Sequence, residues 1–134
     1  MTALVADVKT RVRGGPNFGY PVAPNTKIYA GALCALNAAG QLLRPEDAGA
    51  VAFAGVADRQ LDNSTSAVVS PGYVVPQRGI VVQINVPLAT PANIGAAVYA
   101  TDDATLTLTN TGALLTVGYL SGIENGLTWI KVVS

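Results

Sequence analysis

Apolar residues recur at every second position in short runs that end on glycine, proline or asparagine, and no window carries a helical stripe with capping residues at both ends. A chain written this way is confined to an all-β fold, because period two places alternate side chains on opposite faces of a strand. The clearest run is "GIVVQINV": Ile80, Val82, Ile84 and Val86 line one face, Val81, Gln83 and Asn85 the other, and Pro87 ends it.

Other runs follow the same rule. In "KIYAGALCAL", Ile28, Ala30, Ala32, Cys34 and Leu36 share a face, and "NAAG" supplies a turn ending in Gly40. "VAFAGVA" at 51–57 is continuously apolar, which suits a strand buried on both faces, and "DRQLDNSTS" after it reads as a polar loop. "SAVVSPGYVV" reads as a strand broken at Pro71-Gly72. "TLTLT" at 105–109 and "ALLTVGYL" form a predicted hairpin through "NTG", and "ENG" at 124–126 turns the latter into "LTWIKVV". The one predicted helical turn is "TPANIG", with Thr90 as cap and Pro91 at the first helical position. Seven or eight short strands after residue 26, with turns at fairly regular intervals, predict a small barrel or sandwich.

At 134 residues the chain is long enough for one domain with its own core. Half of its residues are hydrophobic and 12% are charged, about half the usual charged share. Little charge remains to cover a solvent-facing surface, so part of that surface is expected to face protein. Net charge is zero, which argues against direct nucleic-acid binding. The charges are uneven, however: residues 1–27 hold Lys9, Arg11, Arg13 and Lys27 against Asp7. No apolar run approaches the ~18 residues of a membrane span, and no secretion signal is recognisable, so a soluble protein that stays where it is made is expected.

The chemistry available is narrow. There is no histidine, which removes Ser-His-Asp and Cys-His arrangements and the commonest metal ligand. The single cysteine, Cys34, excludes an intramolecular disulfide framework and thiolate-rich zinc sites, and its apolar neighbours mark it as buried filler. Asp102-Asp103 is the only adjacent carboxylate pair and reads as turn chemistry. "NST" at 63–65 matches a glycosylation sequon but reads as a loop. No catalytic residue, metal ligand, cofactor or small-molecule substrate is expected.

The anomaly is "KTRVRGGPNFGYPVA". If residues 8–13 are extended, Lys9, Arg11 and Arg13 fall on one side and Val8, Thr10 and Val12 on the other. "GGPN" makes a joint, and Phe18 and Tyr20 add apolar area at its base. Residues 1–24 are therefore predicted to be an extended arm that docks on an acidic or grooved neighbour, and residues 25–134 the β-domain.

"YPVAPNTKIYAGALCALNAAGQL" resembles the front of small capsid decoration (head cement) proteins of tailed bacteriophages, and the likeness continues through "GVADRQLDN", "RGIVV", "IGAAVYATDD" and "VGYLSGIENGLTWIKV". Cys34 departs from it, standing where a plain aliphatic residue is expected. The resemblance implies a β-barrel-like domain on the outer surface of a virion, commonly a homotrimer, that binds the major capsid protein and reinforces the shell without enzymatic activity. Lys9, Arg11, Arg13, Phe18 and Tyr20 are then the expected capsid-docking residues. The alternative is a carbohydrate-recognising head-fibre or tail-associated β-module. That reading needs exposed aromatics beside polar side chains, whereas Trp129 in "LTWIKVV" is expected in the core.

Overall fold

A computed structural model of the protein describes residues 18–110, 112 and 114–132. The described chain is all-β. Its thirteen short strands are β1 (Tyr20–Pro21), β2 (Thr26–Ile28), β3 (Leu33–Leu36), β4 (Leu42–Leu43), β5 (Ala52–Ala57), β6 (Leu61–Asn63), β7 (Tyr73–Val74), β8 (Pro76–Gln77), β9 (Val81–Gln83), β10 (Ala97–Ala100), β11 (Leu106–Thr107), β12 (Thr116–Glu124) and β13 (Leu127–Val132). They form a five-stranded sheet ordered β11-β10-β12-β13-β9, a four-stranded sheet ordered β4-β3-β5-β8, and the pairs β1-β7 and β2-β6. All these strand pairings are antiparallel. Among the described residues no sheet closes into a barrel, and the arrangement is sandwich-like.

Two cores share one wall. Val98, Val117, Leu120, Ile130 and Val132 project from the five-stranded sheet onto Leu33 and Val56 of the four-stranded one. On the opposite side of that wall Cys34, Ala54 and Ala57 pack with Val22, Ile28, Leu42 and Val74. β5 is thus buried on both faces over its second half, as its continuous apolar run predicts. A register shift opposite Cys34 and Ala35 makes this geometry. Phe53 and Val56 face the larger core while Ala54 and Ala57 face the smaller, three residues apart instead of two. Gly55 takes φ +143° at this point, and a Cβ there would lie 2.7 Å from the Gln77 carbonyl oxygen, so β8 can approach only a glycine.

Several local expectations hold. Asn37 closes the "NAAG" turn by accepting backbone N–H groups of Ala39 and Gln41 at Oδ1, both at 3.0 Å. Asn125 and Gly126 take φ +53° and +76° between β12 and β13, the pair of left-handed residues that a two-residue hairpin loop needs. Alternation through Val82, Ile84 and Val86 faces the larger core, although Ile80 remains 37% exposed and regular pairing ends at Gln83. A 3-10 turn occupies Pro91–Asn93, but its cap is reversed: Asn93 Oδ1 accepts the Thr90 N–H at 2.8 Å.

Other expectations are corrected. "KIYAGALCAL" is two strands, because Gly31 (φ +80°) turns the chain and leaves Ala30 exposed. The polar stretch after residue 57 contains β6, which pairs with β2. "SAVV" is not a strand; Val68 is 67% exposed, and pairing begins only at Tyr73. "TLTLT" does not pair with the following strand. β11 pairs with β10, whose other side takes β12, and the alternation that marks a strand carries no information about its partner. Trp129 is not in the core: it pairs with Gln83 and Gly122 on the outer face of the five-stranded sheet and is half-buried.

Candidate functional site

Of the five predicted docking residues, Lys9, Arg11 and Arg13 lie outside the described residues. Phe18 and Tyr20 do not act alike. Phe18 is 41% exposed, whereas Tyr20 is half-buried, starts β1 opposite Val74, and packs against the smaller core. Between them Gly19 lies against the ring of Tyr73, which is itself 57% exposed. The chain therefore joins the body beside an exposed pair of aromatics.

Part of the predicted arm is body. Val22 is fully buried and Ala23 nearly so, so the body includes residues on the arm side of the expected boundary at residue 25. Two polar side chains, Ser70 and Asn63, hold this segment, and a third, Asp58, holds the chain just after its partner strand β7. The Ser70 hydroxyl accepts the Val22 N–H at 2.8 Å and donates to the Gly72 carbonyl at 2.6 Å. The buried Asn63 amide donates to the carbonyls of Val22, Ala23 and Val68 at 2.9–3.3 Å. Asp58 Oδ1 accepts the Val75 N–H at 3.0 Å. Asn63 is thus the centre of a backbone clamp, and its burial also explains why the "NST" match marks no exposed acceptor. Sequence reasoning missed it because asparagine in a polar run reads as a turn residue.

Most described cations are neutralised close by. Arg44 meets Asp47 at 3.0 Å and Glu46 at 3.9 Å, Arg59 meets Asp58 at 3.4 Å, and Lys27 meets Asp62 at 3.9 Å while sitting 4.8 Å above the Tyr29 ring. The hydrogen bond that Arg44 donates to the Asp47 carboxylate raises the pKa of Arg44, and the hydrogen bond donated by the Ser64 hydroxyl holds Asp62 below its usual range. Residues 18–134 hold five Lys/Arg and seven Asp/Glu, and residues 1–17 hold three Lys/Arg and one acid. The basic excess belongs to the segment that precedes the body.

Among the described residues, the thiol and the first of the two adjacent carboxylates are each accounted for by local contacts. Cys34 is buried, donates to the Ala32 carbonyl, and its thiol is pushed up to about 12 by desolvation. Asp102 accepts the Ala104 N–H at 2.8 Å within a bend, as turn chemistry predicts. Asp103 lines an open cleft of about 450 Å³ together with Tyr29, Gly31, Gln83, Asn85 and Ala104. Among the described residues no three His, Cys, Asp or Glu groups converge to hold a metal ion. No described helix is long and apolar enough to cross a membrane.

Compared with known proteins, the chain matches no family model, no curated protein and no solved structure.

Proposed function

We propose that this protein is a structural decoration protein of a tailed-phage head, attached to the major capsid protein through the segment that precedes Tyr20. The observation that carries the reading is the fixed junction. Tyr20–Pro21 is paired with Tyr73–Val74 and Val22 is buried, so the sequence that carries Lys9, Arg11 and Arg13 is joined to the body next to exposed Phe18 and Tyr73. A basic segment with apolar residues at its root suits an acidic, grooved protein surface. The low charged fraction and the resemblance of motif order across the chain support the same reading.

As a homotrimer on the outer surface of the virion, three such segments would reach three neighbouring shell subunits, and repetition over many copies would multiply modest affinities. The test mixes the purified protein with undecorated expanded capsids and images them. Regular added density on the shell is the expected result, and its loss on deletion of residues 2–14 assigns attachment to the arm. Bare shells at high protein concentration would refute the reading, and full-strength binding by the truncated protein would refute the arm.

A further inference from the structure

The outer face of the five-stranded sheet carries a line of aromatic rings. Cross-strand partners in an antiparallel sheet point to the same side, and Leu120-Ile130 and Ala100-Leu106 point into the core. The alternate pairs therefore face outward: Tyr99 beside Thr107 and Thr116, Tyr119 beside Ala97 and Lys131, and Trp129 beside Gln83 and Gly122.

Their order is a diagonal. On β10, Tyr99 lies two residues beyond Ala97, the partner of Tyr119; on β13, Trp129 lies two residues before Lys131, the other partner of Tyr119. Because β12 runs antiparallel to both neighbours, the two steps lead in opposite directions along it. The three rings thus fall on one oblique line across β10, β12 and β13, with about 7–8 Å for each step. Gly122 leaves the flank of Trp129 open, since a Cβ there would meet nothing within 4 Å.

Polar side chains stand beside the rings: threonines at Tyr99, Gln83 at Trp129, and at Tyr119 the stem of Lys131, whose ammonium donates to the Gly79 carbonyl at 3.0 Å. The hydroxyls of Tyr99 and Tyr119 and the Gln83 amide have no hydrogen-bond partner among the described residues. We propose that this face binds a neutral oligosaccharide along the line Tyr99, Tyr119, Trp129. A pyranose offers an apolar C–H face edged by hydroxyls, and a ring with an adjacent donor or acceptor answers both halves. Other occupants fit less well. A charged segment of either sign would meet a charge of its own sign, Lys131 on β13 or Glu124 two residues beyond Gly122 on β12, and a second protein surface would desolvate the hydroxyls of Tyr99 and Tyr119 and the Gln83 amide. The proposal is independent of attachment to a shell.

Trp129 is the only tryptophan, so its emission reads this face alone. The full-length protein is titrated with cellotetraose, chitotetraose, laminaritetraose and mannotetraose to about 10 mM, following tryptophan emission and heat. At least one sugar is expected to bind saturably. Gln83→Ala and Tyr119→Ala should each weaken that sugar at least about ten-fold by calorimetry, while Tyr73→Ala and deletion of residues 2–14 leave it unchanged. No saturable response to any of the four overturns the proposal, as does equal binding by the Gln83 and Tyr119 variants. Emission that changes with protein concentration alone, accompanied by a larger oligomer, would show the face to be buried between copies and would also overturn it.

Discussion

Gly55 is where β8 comes closest to the shared wall, and a methyl group there would press on the Gln77 carbonyl oxygen at 2.7 Å in a backbone region that L-residues avoid. Gly55→Ala should therefore lower stability by about 2–3 kcal/mol in urea unfolding. Asn63 works by hydrogen bonding instead. Asn63→Ala leaves the carbonyls of Val22, Ala23 and Val68 without their shared donor, and about 3 kcal/mol of destabilisation is expected. The buried thiol of Cys34 has a pH signature. Its pKa rises on folding from 9.0 to about 12 because burial disfavours the thiolate. The folded state thus binds the proton more tightly, and this contribution to stability is intact below pH 9 and is lost as pH rises towards 12. Replacing Cys34 with Ala should flatten the fall in melting temperature over that window.

At the scale of elements, local signals were legible and partners were not. Asn125-Gly126 specifies its hairpin because the turn itself demands two left-handed residues; Asn125→Ala should cost about 1 kcal/mol, and Asn125→Gly close to nothing, in thermal unfolding. The "NAAG" turn and the buried second half of β5 were equally readable, since each depends on residues within a few positions. β11 was readable as a strand but not as a neighbour of β10, because pairing is decided by how the whole sheet covers the larger core. β6 was hidden by its polarity, and Gly31 hid a turn inside an unbroken apolar alternation. Trp129 shows the same limit for the candidate sites. Its alternation with Ile130 was plain, but which of the two faced the core depended on the neighbouring strands.

For the molecule as a whole, the boundary between arm and body is set by packing and not by composition. If residues 2–14 serve attachment, as proposed, their deletion should leave the melting temperature within a degree or two, since segments that pack on a partner and not on the body contribute little to its stability. Deletion of residues 2–24 removes Tyr20, Val22 and Ala23 and should abolish cooperative unfolding or lower stability by more than about 3 kcal/mol. Scanning calorimetry distinguishes the two.

Leu33 and Cys34 are adjacent on β3 yet face opposite cores, so the thiol sits behind the wall on which the five-stranded sheet rests. A sulfhydryl reagent can reach Cys34 only when the smaller core opens, so its rate of reaction becomes a clock for the segments carrying Val22, Ile28 and Val74 that close over it.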